Sequence, residues 1–179
     1  MSWPQLCVIT GGARCGKSSF AERLVGHSGR DRVYLATAQA FDDEMRDRIA
    51  AHLAQRGAGW RTIEAPDDPA AHLATAGTNE IVLLDCATLW LSNRMLRDAD
   101  LAAETEFLMA ALRNCAAPVV VVTNEVGMGI VPENALARRF RDAQGRLNQR
   151  LAGAADLAVL VVAGLPLVLR GALPDGFRG

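Results

Sequence analysis

The run Gly11-Gly12-Ala13-Arg14-Cys15-Gly16-Lys17-Ser18 carries the most legible chemistry in this chain. It matches the spacing G-x-x-x-x-G-K-[ST] in full. Glycines let a backbone bend until successive N–H groups converge on phosphate oxygens. A helix beginning where the loop ends adds its partial positive charge. Lys17 is placed to reach the β- and γ-phosphates of a nucleoside triphosphate, and the Ser18 hydroxyl to ligate Mg²⁺. Asp85 closes the apolar run Ile81–Asp85. A second acidic element is expected at such a strand end, holding the metal through water; the plainer reading is a strand-end Asp capping the next turn. Cys15 reads as a small residue filling a small space, although a helix N-terminus does lower a thiol pKa. The chemistry predicted is phosphoryl or nucleotidyl transfer from a purine nucleoside triphosphate.

These residues need a scaffold, and the periodicity supplies one. Gln5–Thr10 is a short apolar run ending at the Gly-rich turn, which predicts a buried strand. Ser18–Val25 reads as the helix behind the loop, with Phe20, Ala21, Leu24 and Val25 facing inward. Further strands are predicted at Arg32–Thr37, Trp60–Glu64, Ile81–Asp85, Val119–Thr123 and Leu157–Ala163. Helices are predicted over Asp42–Arg56, Pro69–Ala76, Thr88–Arg97, Leu101–Ala116 and Glu133–Gly153. The last has the stripe Leu136, Phe140, Ala143, Leu147 and Leu151. Leu167–Leu169 is a candidate edge strand. Strands alternating with helices predict an α/β fold with a mostly parallel sheet covered on both faces. No linker or repeat divides the sequence, so residues 1–179 are expected to form a single catalytic domain.

Composition limits the partners. The chain has 179 residues, half of them hydrophobic, and a formal net charge of −1. A nucleic-acid or membrane-surface binder usually shows a basic excess, and none is present. No apolar run approaches the ~20 residues that span a bilayer. Cys7, Cys15, Cys86 and Cys115 lack metal-site or disulfide spacing. Met1–Pro4 lacks a signal-peptide pattern. A reduced, cytoplasmic setting is therefore expected.

Three stretches narrow the class further. The first is Thr10–Ser18. The second is Tyr34-Leu35-Ala36-Thr37-Ala38 with Asp42-Asp43-Glu44-Met45, Arg48-Ile49-Ala50-Ala51-His52 and Trp60–Glu64. The third is Val122–Asn134, continuing to Phe140-Arg141-Asp142 and Gly145–Gln149. Together they resemble the bifunctional adenosylcobinamide kinase / adenosylcobinamide-phosphate guanylyltransferase family of cobalamin biosynthesis, over about Leu6 to Ala163. The resemblance implies a RecA-like P-loop fold, a homotrimer, and ATP and GTP as substrates. It implies phosphorylation of adenosylcobinamide, then GMP transfer from GTP to adenosylcobinamide phosphate through a guanylyl-histidine.

The same resemblance assigns residues. His52 is the one histidine in the segment that carries the family's nucleophile, and Ala51 stands where some relatives have a second. Arg48 and Arg56 flank His52 on a helix, and two guanidiniums disfavour protonation of an imidazole; a half-buried histidine bonded to a backbone carbonyl is the plainer reading. Ala36, Thr37 and Ala38 match the turn that binds guanine nucleotide, with Ala38 where relatives often have Ser. Glu64 and Arg56 match further nucleotide contacts. The two glycines and Met128 of Asn124–Gly129 suggest a loop closing on a large apolar ligand, which suits a corrinoid. The competing classes are a small-molecule kinase without guanylyltransferase activity, a GTP switch, and a DNA-dependent ATPase. The switch lacks an N-K-x-D stretch, and the near-neutral charge opposes the ATPase.

Overall fold

The computed structural model describes residues 3–39, 43 and 56–178. In chain order the elements are β1 (Leu6–Gly11), α1 (Lys17–His27), β2 (Asp31–Ala36), β3 (Trp60–Glu64), α2 (Pro69–Leu73), β4 (Glu80–Asp85), α3 (Ala87–Leu96), α4 (Leu101–Asn114), β5 (Val119–Asn124), α5 (Ala135–Ala154), β6 (Leu157–Val162) and β7 (Leu165–Arg170). The helix expected over Asp42–Arg56 lies outside the described residues apart from Asp43 and Arg56.

Among the described residues, all the strands join one sheet of order β3-β2-β4-β5-β1-β6-β7. Every pairing is parallel except β6 with β7, which is antiparallel. That confirms the α/β, mostly parallel expectation, and the edge strand is longer than Leu167–Leu169. Ala163 and Gly164 form the hairpin between β6 and β7, at φ 51° and 80°. Positive φ at both central residues is the signature of a tight two-residue turn that follows the strand twist.

Alternate strand residues point to opposite faces, and each face has its own core. Val8, Leu35, Leu84 and Val121 pack with Trp90, Leu91, Leu108 and Leu147 from α3, α4 and α5. Ile9, Leu83, Val122 and Val159 pack with Phe20, Ala21, Leu24 and Val25 from α1. The predicted inner face of α1 is therefore observed. The α5 stripe needs one correction. Leu136 is 51% exposed, so the buried face starts later and includes Gln144, which is fully buried. Residue periodicity placed Leu136 on the correct side, but that end of the helix lies beyond the core.

Strand β1 is flanked by β5 on one side and β6 on the other. In open parallel sheets, ligand crevices form beyond the C-terminal strand ends where the winding changes direction. The phosphate loop leaves β1 at such a place.

Candidate active site

The loop Gly11–Ser18 joins β1 to α1 and owes its shape to close backbone approaches. A Cβ on Gly11 would lie 2.5 Å from the Val161 carbonyl oxygen and 2.6 Å from Cys15 Sγ. Glycine alone fits there. Gly16 precedes α1 at φ 96°, and a Cβ on it would lie 3.2 Å from Gly164 Cα. Gly164 N–H donates to the Cys15 carbonyl at 2.8 Å, and Glu125 N–H to the Gly11 carbonyl at 3.1 Å. The hairpin tip and the end of β5 thus hold the loop from two sides. Cys15, half-buried against the α1-side core, fills space between them.

Asp68, Asp100 and Asn134 cap α2, α4 and α5 through their side chains, whereas Gly16 gives α1 no side-chain cap. The first N–H groups of a helix have no intrahelical acceptor. Left uncapped, those of α1 suit an anion. Lys17 is 8% exposed, and its Nζ donates to the Gly12 carbonyl at 3.1 Å. A buried ammonium next to uncapped N–H groups is the chemistry that a phosphate would require here. Gly12, Ala13 and Arg14 of the loop are exposed, with Arg14 at φ 56°.

Asp85 ends β4 at the level of Val122 on β5 and Ala36 on β2. Its Oδ2 accepts from Tyr34 Oη at 3.1 Å. The Arg56 guanidinium lies 3.3 Å from the Tyr34 ring centroid, a stacked cation–π contact. Glu22, one helical turn beyond Ser18, shares this environment. Burial and the charge of Asp85 push its carboxyl up to about 7, with Arg56 pulling the other way. Burial first, then Asp85, also raises the Tyr34 hydroxyl well above its ordinary value. Glu22 and Tyr34 neighbour Asp85 here, and sequence reasoning singled out neither as a site residue. The available signals were a Ser18–Glu22 spacing of one helical turn and the chain's single tyrosine inside a strand.

Among the described residues no cluster of three His, Cys, Asp or Glu side chains forms a metal cage. The Ser18 hydroxyl and Asp85 carboxylate are hard oxygen donors of the kind Mg²⁺ takes when it arrives with phosphates. They fit a cation carried by the nucleotide.

The Thr37 hydroxyl is engaged within the protein. Thr37 is fully buried, and its Oγ1 donates to the Cys86 carbonyl at 2.8 Å and accepts from the Cys86 N–H at 2.7 Å. Asn93 Nδ2 donates to its carbonyl at 3.0 Å. The Thr37 side chain locks β2 to β4 and has no free donor for a ligand. Ala36 and Ala38, half-buried, flank it. Glu64 is exposed at the end of β3, in register with Ala36. His52 lies outside the described residues.

A parallel sheet of this order, with a phosphate loop after β1 and a carboxylate ending β4, defines a RecA-like P-loop nucleotide-binding protein. The crystal structure of the RadB recombinase shares the fold at TM-score 0.54 and 17% identity, over 97% of this chain and 85% of that one. The profile of the CobU family, cobinamide kinase / cobinamide phosphate guanyltransferase, matches residues 7–169. This chain belongs to that family. The bifunctional adenosylcobalamin biosynthesis protein CobU of Escherichia coli (strain K12) is 44% identical over 92% of this chain and 99% of its own. The bifunctional adenosylcobalamin biosynthesis protein CobP of Pseudomonas aeruginosa is 46% identical over 92% of this chain and 96% of its own.

Proposed function

We propose that this protein is a bifunctional enzyme of cobalamin biosynthesis. It phosphorylates adenosylcobinamide with ATP or GTP, then transfers GMP from GTP to adenosylcobinamide phosphate, giving adenosylcobinamide-GDP and pyrophosphate. The observation that carries this reading is the family match over residues 7–169, which includes the whole phosphate loop.

In the kinase step, N–H groups of Gly12 through Ser18 surround the phosphates. Lys17 exchanges the Gly12 carbonyl for the β- and γ-phosphate oxygens. Ser18 and Asp85 would hold Mg²⁺, and a bound cation would supply neutralisation of the charge on the transferred group. In the guanylyl step, neutral His52 attacks the α-phosphorus of GTP. The bond to the bridging oxygen breaks, pyrophosphate leaves, and a phosphoramidate forms. The phosphate of the acceptor then attacks the same phosphorus and releases the imidazole.

Glu64 accepts from guanine, and Arg56 faces the phosphates from its seat on Tyr34. Ala36 and Ala38 border the base. Thr37 serves this turn by holding its backbone. The exposed side chains of Met128 and Ile130, at 82% and 96%, suit the apolar flank of a corrinoid. The assembly is a cytoplasmic homotrimer. Among the described residues no helix is long and apolar enough to cross a membrane.

The test is incubation with Mg²⁺ and GTP labelled at the α-phosphate, without acceptor, followed by denaturing electrophoresis of wild type and His52→Ala. Label retained by wild type and absent from the variant is expected. GTP-binding wild type that takes no label would overturn the covalent step and favour a kinase without guanylyltransferase activity.

A further inference from the structure

Side chains hold Asn124, the last residue of β5, on both sides of its backbone. Its N–H donates to Thr88 Oγ1 at 2.7 Å, and its carbonyl accepts from Asn148 Nδ2 at 2.9 Å. The ring closes between them. Thr123 Oγ1 donates to Asn148 Oδ1 at 2.7 Å and lies 3.4 Å from Thr88 Oγ1. Gln144 braces it from α5, donating to Thr123 Oγ1 at 2.9 Å and to Asn148 Oδ1 at 2.8 Å. Thr88, Thr123 and Gln144 are buried.

Buried polar networks rigidify what they hold, and they are costly where incomplete. Gln144 Oε1 has no hydrogen-bond partner among the described residues. What the network fixes is the backbone of one residue whose own side chain takes no part. Asn124 Oδ1 is buried and has no hydrogen-bond partner among the described residues.

The position of Asn124 in the sheet bears on what that oxygen could meet. Asn124 pairs in register with Gly11, the first glycine of the phosphate loop. It stands two residues beyond Val122, which is level with Asp85. An amide oxygen only accepts hydrogen bonds. Ionised phosphate oxygens have no proton to offer it, whereas an alcohol does.

We propose that Asn124 orients the phosphoryl acceptor, its Oδ1 accepting the hydrogen bond of the cobinamide hydroxyl that attacks the γ-phosphorus. Thr88, Thr123, Gln144 and Asn148 are its positioning residues. The proposal rests on the kinase half of the function given above. In the step, the hydroxyl oxygen bonds to the γ-phosphorus and the bond from that phosphorus to the β–γ bridging oxygen breaks. The nucleoside diphosphate leaves, and the hydroxyl proton is lost to water. The amide holds the proton until transfer and does not take it.

The experiment compares wild type, Asn124→Ala and Asn124→Asp for the kcat of cobinamide phosphorylation and the affinity for Mg²⁺–nucleotide. Far-UV circular dichroism checks that each variant folds. Misorienting a nucleophile costs up to about 100-fold, so Asn124→Ala is expected to lower kcat by about 30- to 100-fold. Its Mg²⁺–nucleotide affinity should stay within about twofold, because no phosphate contact is removed. Asn124→Asp keeps an acceptor oxygen and should recover about tenfold of the lost kcat at saturating nucleotide. An unchanged kcat in Asn124→Ala would overturn the proposal. So would a loss of Mg²⁺–nucleotide affinity as large as the loss of rate, which would place the oxygen on a cation-bound water. Wild-type protein that binds nucleotide yet never phosphorylates cobinamide would overturn the kinase reading, and this proposal with it.

Discussion

Glu22 sets the charge balance at the end of β4, together with Tyr34, Arg56 and Asp85. Its carboxyl ordinarily titrates at 4.5 and is pushed up to about 7 in the fold. Between those values the folded chain holds a proton that the unfolded chain has released. The stability this group contributes is complete below about pH 4.5 and declines as pH rises through about 7. Glu22→Gln removes that dependence. Thermal unfolding of wild type and variant across this window should give midpoints that diverge with rising pH, wild type falling faster; parallel curves would refute the assignment. The placement of Lys17 and Ser18 at a loop-to-helix junction and of Asp85 at a strand end was legible in the sequence, because a loop motif and an apolar run mark them. Glu22 and Tyr34 were not, because their setting exists only once α1 packs over β2 and β4. Thr37 was legible as important, but its hydroxyl works on the Cys86 backbone, a contact between segments 49 residues apart.

At the scale of elements, the phosphate loop and the β6–β7 hairpin are one unit. The Val161 carbonyl oxygen stands where a Gly11 Cβ would be, and backbone cannot swing aside as a flexible side chain can. Gly11→Ala should destabilise the fold by about 1–3 kcal/mol and weaken nucleotide binding, measured by denaturant unfolding and nucleotide titration. Unchanged affinity would show that the loop reshapes freely. The strands could be read ahead of the structure because continuous apolar runs such as Val119–Val122 leave little choice in a two-faced sheet. The hairpin's grip on the loop could not, since nothing local links Gly164 to Cys15. The network around Asn124 was hidden for the same reason. Gln144 reads as one polar residue in a helix until Thr123 is brought beside it.

For the whole molecule, the sheet separates two cores that share few side chains. Leu24 is fully buried on the α1 side, and Leu147 is 1% exposed on the α5 side. Leu24→Ala and Leu147→Ala should each cost about 2–5 kcal/mol. With no shared partners, their effects should add within about 0.5 kcal/mol in the double variant. Strong non-additivity would mean that the sheet transmits strain between its faces. The hairpin's hold on the phosphate loop has a thermodynamic corollary. The conformational entropy of shaping the loop is surrendered when the chain folds, so the triphosphate docks into a rigid receptor. Nucleotide should then raise the melting temperature by mass action alone, in proportion to the logarithm of its concentration, with little change in heat capacity beyond that of the surface it covers.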